Sequence, residues 1–200
     1  TQVRKGFGIP YLYHPLAVAS LVIEFGGNED QAIAGLLHDV VEDCGQAHAA
    51  IIREQFGDEV ATIVYACTDG TAEGKASHSD PEAKRKDWMR RKLTYIAHLK
   101  EASDNTLLVS ACDKLHNARA IVQDLEAGHD VFERFTGKRE GTLAYYYSLA
   151  KLFDERRIPS ARPLVAVVQR MLELAECATP TTLSDLADAQ PRQSPKSKLQ

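Results

Sequence analysis

The chain has 200 residues, with 24 Lys+Arg against 28 Asp+Glu for a formal net charge of −4, 44% apolar residues and a mean hydropathy of −0.29. This is one domain's worth of polypeptide with material for a packed core, and it excludes fibrous, disulfide-dense and wholly disordered classes. The charge balance supplies no global positive field for nucleic acid or an anionic membrane, so an anionic ligand needs local basic residues.

No apolar run approaches the roughly 18 residues that span a bilayer, and no charged segment followed by an apolar core opens the chain, which points to a cytoplasmic protein. Cys44, Cys67, Cys112 and Cys177 have no CxxC spacing and read as reduced, mostly packed thiols. The apolar spacing is helical throughout, so the spacing predicts an all-α, single-domain fold without internal repeats.

The first helix is expected over Pro15 to Phe25, between a first-turn proline and Gly26-Gly27, with His14 at its entrance. Asn28 with Gln31 makes a capping-box signature for a second helix running unbroken to about Asp43 and ended by Cys44-Gly45. Its apolar residues (Ala32, Ile33, Leu36, Leu37, Val40, Val41) surround it nearly completely, which predicts a buried central helix. Two shorter helices on either side of Gly57 are expected to form a hairpin against it. Residues 69–81, rich in Gly, Ser and Asp, read as a long loop. A basic helix with Trp88, Leu93, Ile96 and Leu99 inward follows, then a long helix from about Asn105 to Ala127, capped by Ser103 or Asp104. Helices around Leu143–Phe153 and Leu164–Glu176 are separated by Pro159 and Pro163. From Thr179 to Gln200 the polar composition predicts a disordered tail.

One segment does not fit a purely structural reading. His38-Asp39-Val40-Val41-Glu42-Asp43 puts four ionisable groups into six residues of a helix expected to be buried. Burying them costs several kcal/mol unless they are paired or bound to a cation. Helical spacing stacks His38 over Glu42 and Asp39 over Asp43. Asp113, one turn before Asn117 in the long helix, supplies a further carboxylate. The set His14, His38, Asp39 and Asp113 thus offers two imidazole nitrogens and two carboxylate oxygens from three helices, a mixed set that suits Mn²⁺ or Fe²⁺ better than Mg²⁺ or Zn²⁺. By the same spacing His116 lies off the Asp113-Asn117 face and is read as incidental, as are His48, His78, His98 and His129. Tyr145-Tyr146-Tyr147 reads as packing, and the run Lys84 to Lys92 as a solvated face from which Arg91 or Lys92 can reach a polyphosphate.

The motifs PYLYHPLAVA around His14, AGLLHDVVED with His38-Asp39 and Glu42-Asp43, and SACDKLHNARAI with Asp113 resemble the successive motifs of the HD superfamily. More narrowly, they resemble the hydrolase domain of RelA/SpoT-type alarmone enzymes and the free-standing small alarmone hydrolases. Arg4-Lys5, FGDEV at 56–60, Arg91-Lys92 and Asn117 extend the resemblance over about residues 4 to 125, and ERFTGKREGTLAYYYSL resembles the single-domain members. The resemblance implies an HD-type helical bundle over 1–178, with its N-terminal helix truncated and no synthetase domain. It implies one metal ion, commonly Mn²⁺, on His14, His38, Asp39 and Asp113, with Glu42 and Asp43 working on the attacking water. Arg4, Lys5 and Asn117 then contact nucleotide or phosphate. The implied reaction is hydrolysis of the 3′ ester of (p)ppGpp-like nucleotides, releasing pyrophosphate. Lys114 and Ala120 stand where synthetase-bearing members often have Arg and Thr. An adenosine alarmone or another phosphorylated nucleotide is therefore the alternative substrate, and a non-catalytic nucleotide sensor the alternative class.

Overall fold

The computed structural model describes residues 2–3, 8–70 and 80–189. The described residues form nine α-helices, one short 3₁₀ turn and no strand, only an isolated bridge between Val3 and Pro10. The all-α expectation holds.

Helix α1 (Tyr13–Glu24) begins two residues before the proline that signalled it and ends at Gly26, whose φ of 84° reverses the chain. Helix α2 (Glu29–Leu37) starts with the expected capping box: Gln31 N–H donates to Asn28 Oδ1 at 2.9 Å and Asn28 N–H to Gln31 Oε1 at 2.8 Å. It stops short of the expected Asp43. A separate short helix, α3 (Val40–Cys44), follows, with His38 and Asp39 at the junction. The reason is local: His38 Nδ1 donates to Gly35 O at 2.8 Å, competing for the carbonyl that a continuous helix offers to the Asp39 N–H.

Nor is α2 the buried centre. Leu36 is exposed, and Ala32, Ile33, Leu37 and Val40 are half-buried. The two helices expected on either side of Gly57 are both present within the span α4 (His48–Cys67), separated by a non-helical break at Gly57, at φ 89° and ψ 173°. After α5 (Pro81–Glu101), capped by Asp80, comes α6 (Asp104–Glu126), capped by Ser103 as expected. The central helix is α6: Leu107, Val109, Ala111, Cys112, Leu115 and Ala118 are fully buried, and it packs against α1, α2, α4 and the two helices that follow.

Those are α7 (Lys138–Glu155) and α8 (Ala161–Leu174). Pro163 does not separate helices; it lies in the first turn of α8, where a missing N–H is tolerated. Trp88 of α5 rests on the start of α7, where a Cβ at Gly137 meets its indole at 2.5 Å. Finally, the chain does not become a free tail at 179. Leu183–Asp188 form α9, capped by Thr182, with Leu183 fully buried and its N–H donated to Ser148 Oγ at 2.8 Å. One buried leucine thus anchors a segment whose composition predicted disorder; residues 190–200 lie outside the described residues.

Candidate metal centre

Three elements bring the four expected ligands together. His14 is the second residue of α1, His38 and Asp39 form the α2–α3 junction, and Asp113 sits mid-way along α6. Ligand atoms of His14, His38 and Asp39 lie within 4.8 Å of one another. Asp113 Oδ1 completes the set at 3.2 Å from His14 Nε2 and 3.5 Å from His38 Nε2, while Asp39 Oδ2 lies 3.2 Å from His38 Nε2 and 3.7 Å from His14 Nε2.

The donor set fits a divalent cation on an observation of its own. Gly35 O can only accept, so the proton of a neutral His38 is on Nδ1 and its lone pair on Nε2. That Nε2 is sealed from solvent and has no hydrogen-bond partner; the nearby carboxylate oxygens are close but not aligned for one. A buried lone pair facing two carboxylates is unfavourable by itself, and a cation between them satisfies all three. Without one, burial opposes a charge on His38, but the carboxylates of Asp39 and Asp113 outweigh it and hold its pKa well above the usual imidazole range.

Asp113 is the most tightly held of the four. Its Oδ1 accepts from Asn117 Nδ2 at 2.6 Å and its Oδ2 from Lys114 Nζ at 2.5 Å. Burial raises a carboxyl pKa, yet Lys114, His14 and His38 hold that of Asp113 well below the ordinary range, and Asp113 in turn keeps the buried Lys114 charged. Lys114 also lies 5.2 Å over the Tyr95 ring. On the junction side, Tyr11 donates its hydroxyl proton to Asp39 Oδ2.

The centre opens into a cleft of about 850 Å³. Glu42 and Asp43 line it beside the junction, Glu42 half-buried and Asp43 exposed. Of the two expected columns, Asp39 under Asp43 is realised by the Asp43 N–H to Asp39 O bond of 2.8 Å, now within the one-turn helix α3. Asn117 and Ala120 line the same cleft from α6. Arg4 and Lys5 lie outside the described residues. The basic face of α5 is not wholly solvated: Arg91 and Lys92 both pair with the nearly buried Asp69, and Lys92 lies 4.8 Å over the Tyr145 ring.

Sequence reasoning missed two contributors. Tyr11 had a signal only in its place three residues before His14. His116 had a plainer one, since a residue three after Asp113 is its neighbour on a helix face. His116 is buried, with Nδ1 2.8 Å from His14 Nδ1.

Fold and site together define an all-helical bundle whose histidines and aspartates gather round a place for one divalent cation. The chain belongs to the HD domain family, whose sequence model, described as HD domain, matches residues 1–143. It is similar to the "Probable GTP pyrophosphokinase" of Mycobacterium leprae, 35% identical over 123 residues, which cover 60% of this chain and 14% of that one. It is also similar to the guanosine-3′,5′-bis(diphosphate) 3′-pyrophosphohydrolase MESH1 of Xenopus tropicalis, 36% identical over 114 residues, 56% of each chain. The chain therefore matches only part of these curated relatives. Among solved structures, lmo0812 from Listeria monocytogenes superimposes with a TM-score of 0.65 at 24% identity, over 86% of this chain and 99% of the other, a likeness of fold. No helix of the described residues is long and apolar enough to cross a membrane.

Proposed function

We propose that this chain is a Mn²⁺-dependent 3′-pyrophosphohydrolase of (p)ppGpp-like alarmone nucleotides. The observation that carries the reading is the convergence of four donor atoms from α1, the α2–α3 junction and α6 at the base of a cleft that Glu42 and Asp43 also line. The similar MESH1, named a guanosine-3′,5′-bis(diphosphate) 3′-pyrophosphohydrolase, supports the substrate class. His14, His38, Asp39 and Asp113 hold the ion, which when bound polarises phosphoryl oxygens and acidifies water.

The chain's own residues do the rest. Glu42 accepts a proton from the attacking water, and Asp43 orients that water toward the 3′-phosphorus. A new P–O bond forms, the bond to the ribose O3′ breaks, O3′ takes up a proton, and pyrophosphate leaves. Lys114, charged beneath Asp113, offsets the negative charge of the carboxylates and substrate. Arg4, Lys5 and Asn117 contact the nucleotide and its phosphates, and adenine is the alternative base because Lys114 and Ala120 depart from the residues that synthetase-bearing members often have.

The test is pyrophosphate release from guanosine and adenosine alarmones side by side, with Mn²⁺ and with chelator, for wild type and the Glu42→Ala/Asp43→Ala double variant. Metal-dependent release lost in the variant supports the reading and names the base. Binding of either nucleotide without release identifies a sensor instead.

A further inference from the structure

We infer that His116 is a positioning residue that fixes the protonation pattern of His14 and aims its Nε2 into the centre. The inference deepens the metal-centre reading and rests on it. His14 and His116 meet through their Nδ1 atoms, 2.8 Å apart, with ring centroids 4.9 Å apart and both side chains buried. Two Nδ1 atoms at that distance share one hydrogen: one ring donates and the other accepts.

The rest of the site decides which. His14 Nε2 faces Asp113 Oδ1 at 3.2 Å and Asp39 Oδ2 at 3.7 Å, the side on which a cation is held. To ligate, Nε2 must present its lone pair, so the proton of His14 is on Nδ1 and is donated to His116. His116 accepts at Nδ1 and carries its own proton on Nε2. A carbonyl does this for His38; for His14 it is done by a second imidazole.

The packing supports the assignment. Tyr13 meets the His116 ring edge-on, with centroids 5.1 Å apart, so α1 supplies both the ligand and an aromatic wall that holds its partner in place. His116 lies one turn beyond Asp113 on α6, the most buried helix, so a single rigid element carries one ligand and orients another. The opposite pattern, with His116 donating to His14 Nδ1, leaves a proton on His14 Nε2 directed at the ion and is incompatible with ligation.

The experiment compares Mn²⁺ affinity by calorimetry for wild type, His116→Leu and His116→Asn. Loss of such a partner typically costs about 10- to 100-fold in metal affinity. His116→Leu is expected to lose that much, and His116→Asn, whose Oδ1 can accept the same hydrogen, to stay within about threefold of wild type. Long-range ¹H–¹⁵N correlation spectra of the Zn²⁺-loaded wild type are expected to show His14 protonated at Nδ1 and His116 at Nε2. Wild-type affinity in His116→Leu, equal losses in both variants, or the reversed protonation pattern overturns the inference while leaving the metal centre standing. A wild type that binds no Mn²⁺ overturns the metal-centre reading itself.

Discussion

The two halves of the centre are built on opposite principles. Asp113 belongs to α6, buried in the middle of the bundle, and both its oxygens are committed, one to Asn117 and one to Lys114. His38 and Asp39 belong to a break between two short helices, where the Asp39 side chain retains 27% of its exposure and the His38 Nε2 faces the Asp39 and Asp113 carboxylates without an aligned hydrogen bond to either. One half is internally satisfied and would hold its shape without an ion. The other is completed only when something positive arrives. The difference separates what a ligand does for the fold from what it does for the metal, and the two become distinguishable by mutation.

The largest effect should come from Asp113→Ala. It removes a donor and strands the buried Lys114 cation, a loss of about 3–5 kcal/mol of folding stability. Asp39→Ala, at the half-open junction, should cost about 1 kcal/mol or less. Urea unfolding of the two variants without metal checks the contrast; equal destabilisation would erase the distinction between the halves.

A smaller effect tests how the junction is held. Gly35 sits where α2 crosses α1, and a Cβ there would lie 3.2 Å from the Ala19 Cα and 3.3 Å from its N. Gly35→Ala must push the two helices apart, at about 1–3 kcal/mol, and shift the carbonyl that fixes His38. Its thermal midpoint should fall, and its Mn²⁺ affinity should fall further than that of an equally destabilised variant in α8.

The smallest effect is chemical. Burial pushes the thiols of Cys112, on α6, and Cys67, at the cleft wall, up to about 12, whereas Cys44 ends α3 exposed. At pH 8 a thiol reagent should modify Cys44 rapidly and Cys67 and Cys112 only on unfolding. The sign for stability follows. An unfolded thiol ionises near pH 8.5 and these folded ones do not, so their contribution is intact below that pH and is lost as pH rises from about 8.5 toward 12. A metal-free melt series across that range should decline; a flat series would show that the thiols are less buried than described.

The candidate ligands were legible in the sequence because they are polar residues in apolar helices. His14, His38, Asp39 and Asp113 stand out against Val18, Val41 and Leu115, and only a shared partner explains them. The caps were legible too, since Asn28 with Gln31 and Ser103 act within one turn. Other features depend on tertiary contacts that spacing does not encode. The break after Leu37 follows from the His38 bond to Gly35, and helical periodicity carries no sign of it. The central place of α6 rather than α2 depends on which neighbours cover Leu36, which stays exposed. The angle of His116 on its own helix carries no sign of its role, because its partner is on α1, 102 residues away. Leu183 and Leu186 are the only large apolar residues of an otherwise polar stretch around α9, and the burial of Leu183 depends on the surface that α7 offers.

The central claim is that α1, the α2–α3 junction and α6 meet on one cation. Equilibrium titration with Mn²⁺, read by calorimetry, tests it most directly. One ion per wild-type chain, with at least about 100-fold weaker binding in both Asp39→Ala and Asp113→Ala, is the result this structure predicts. Wild-type stoichiometry and affinity in either variant would contradict it.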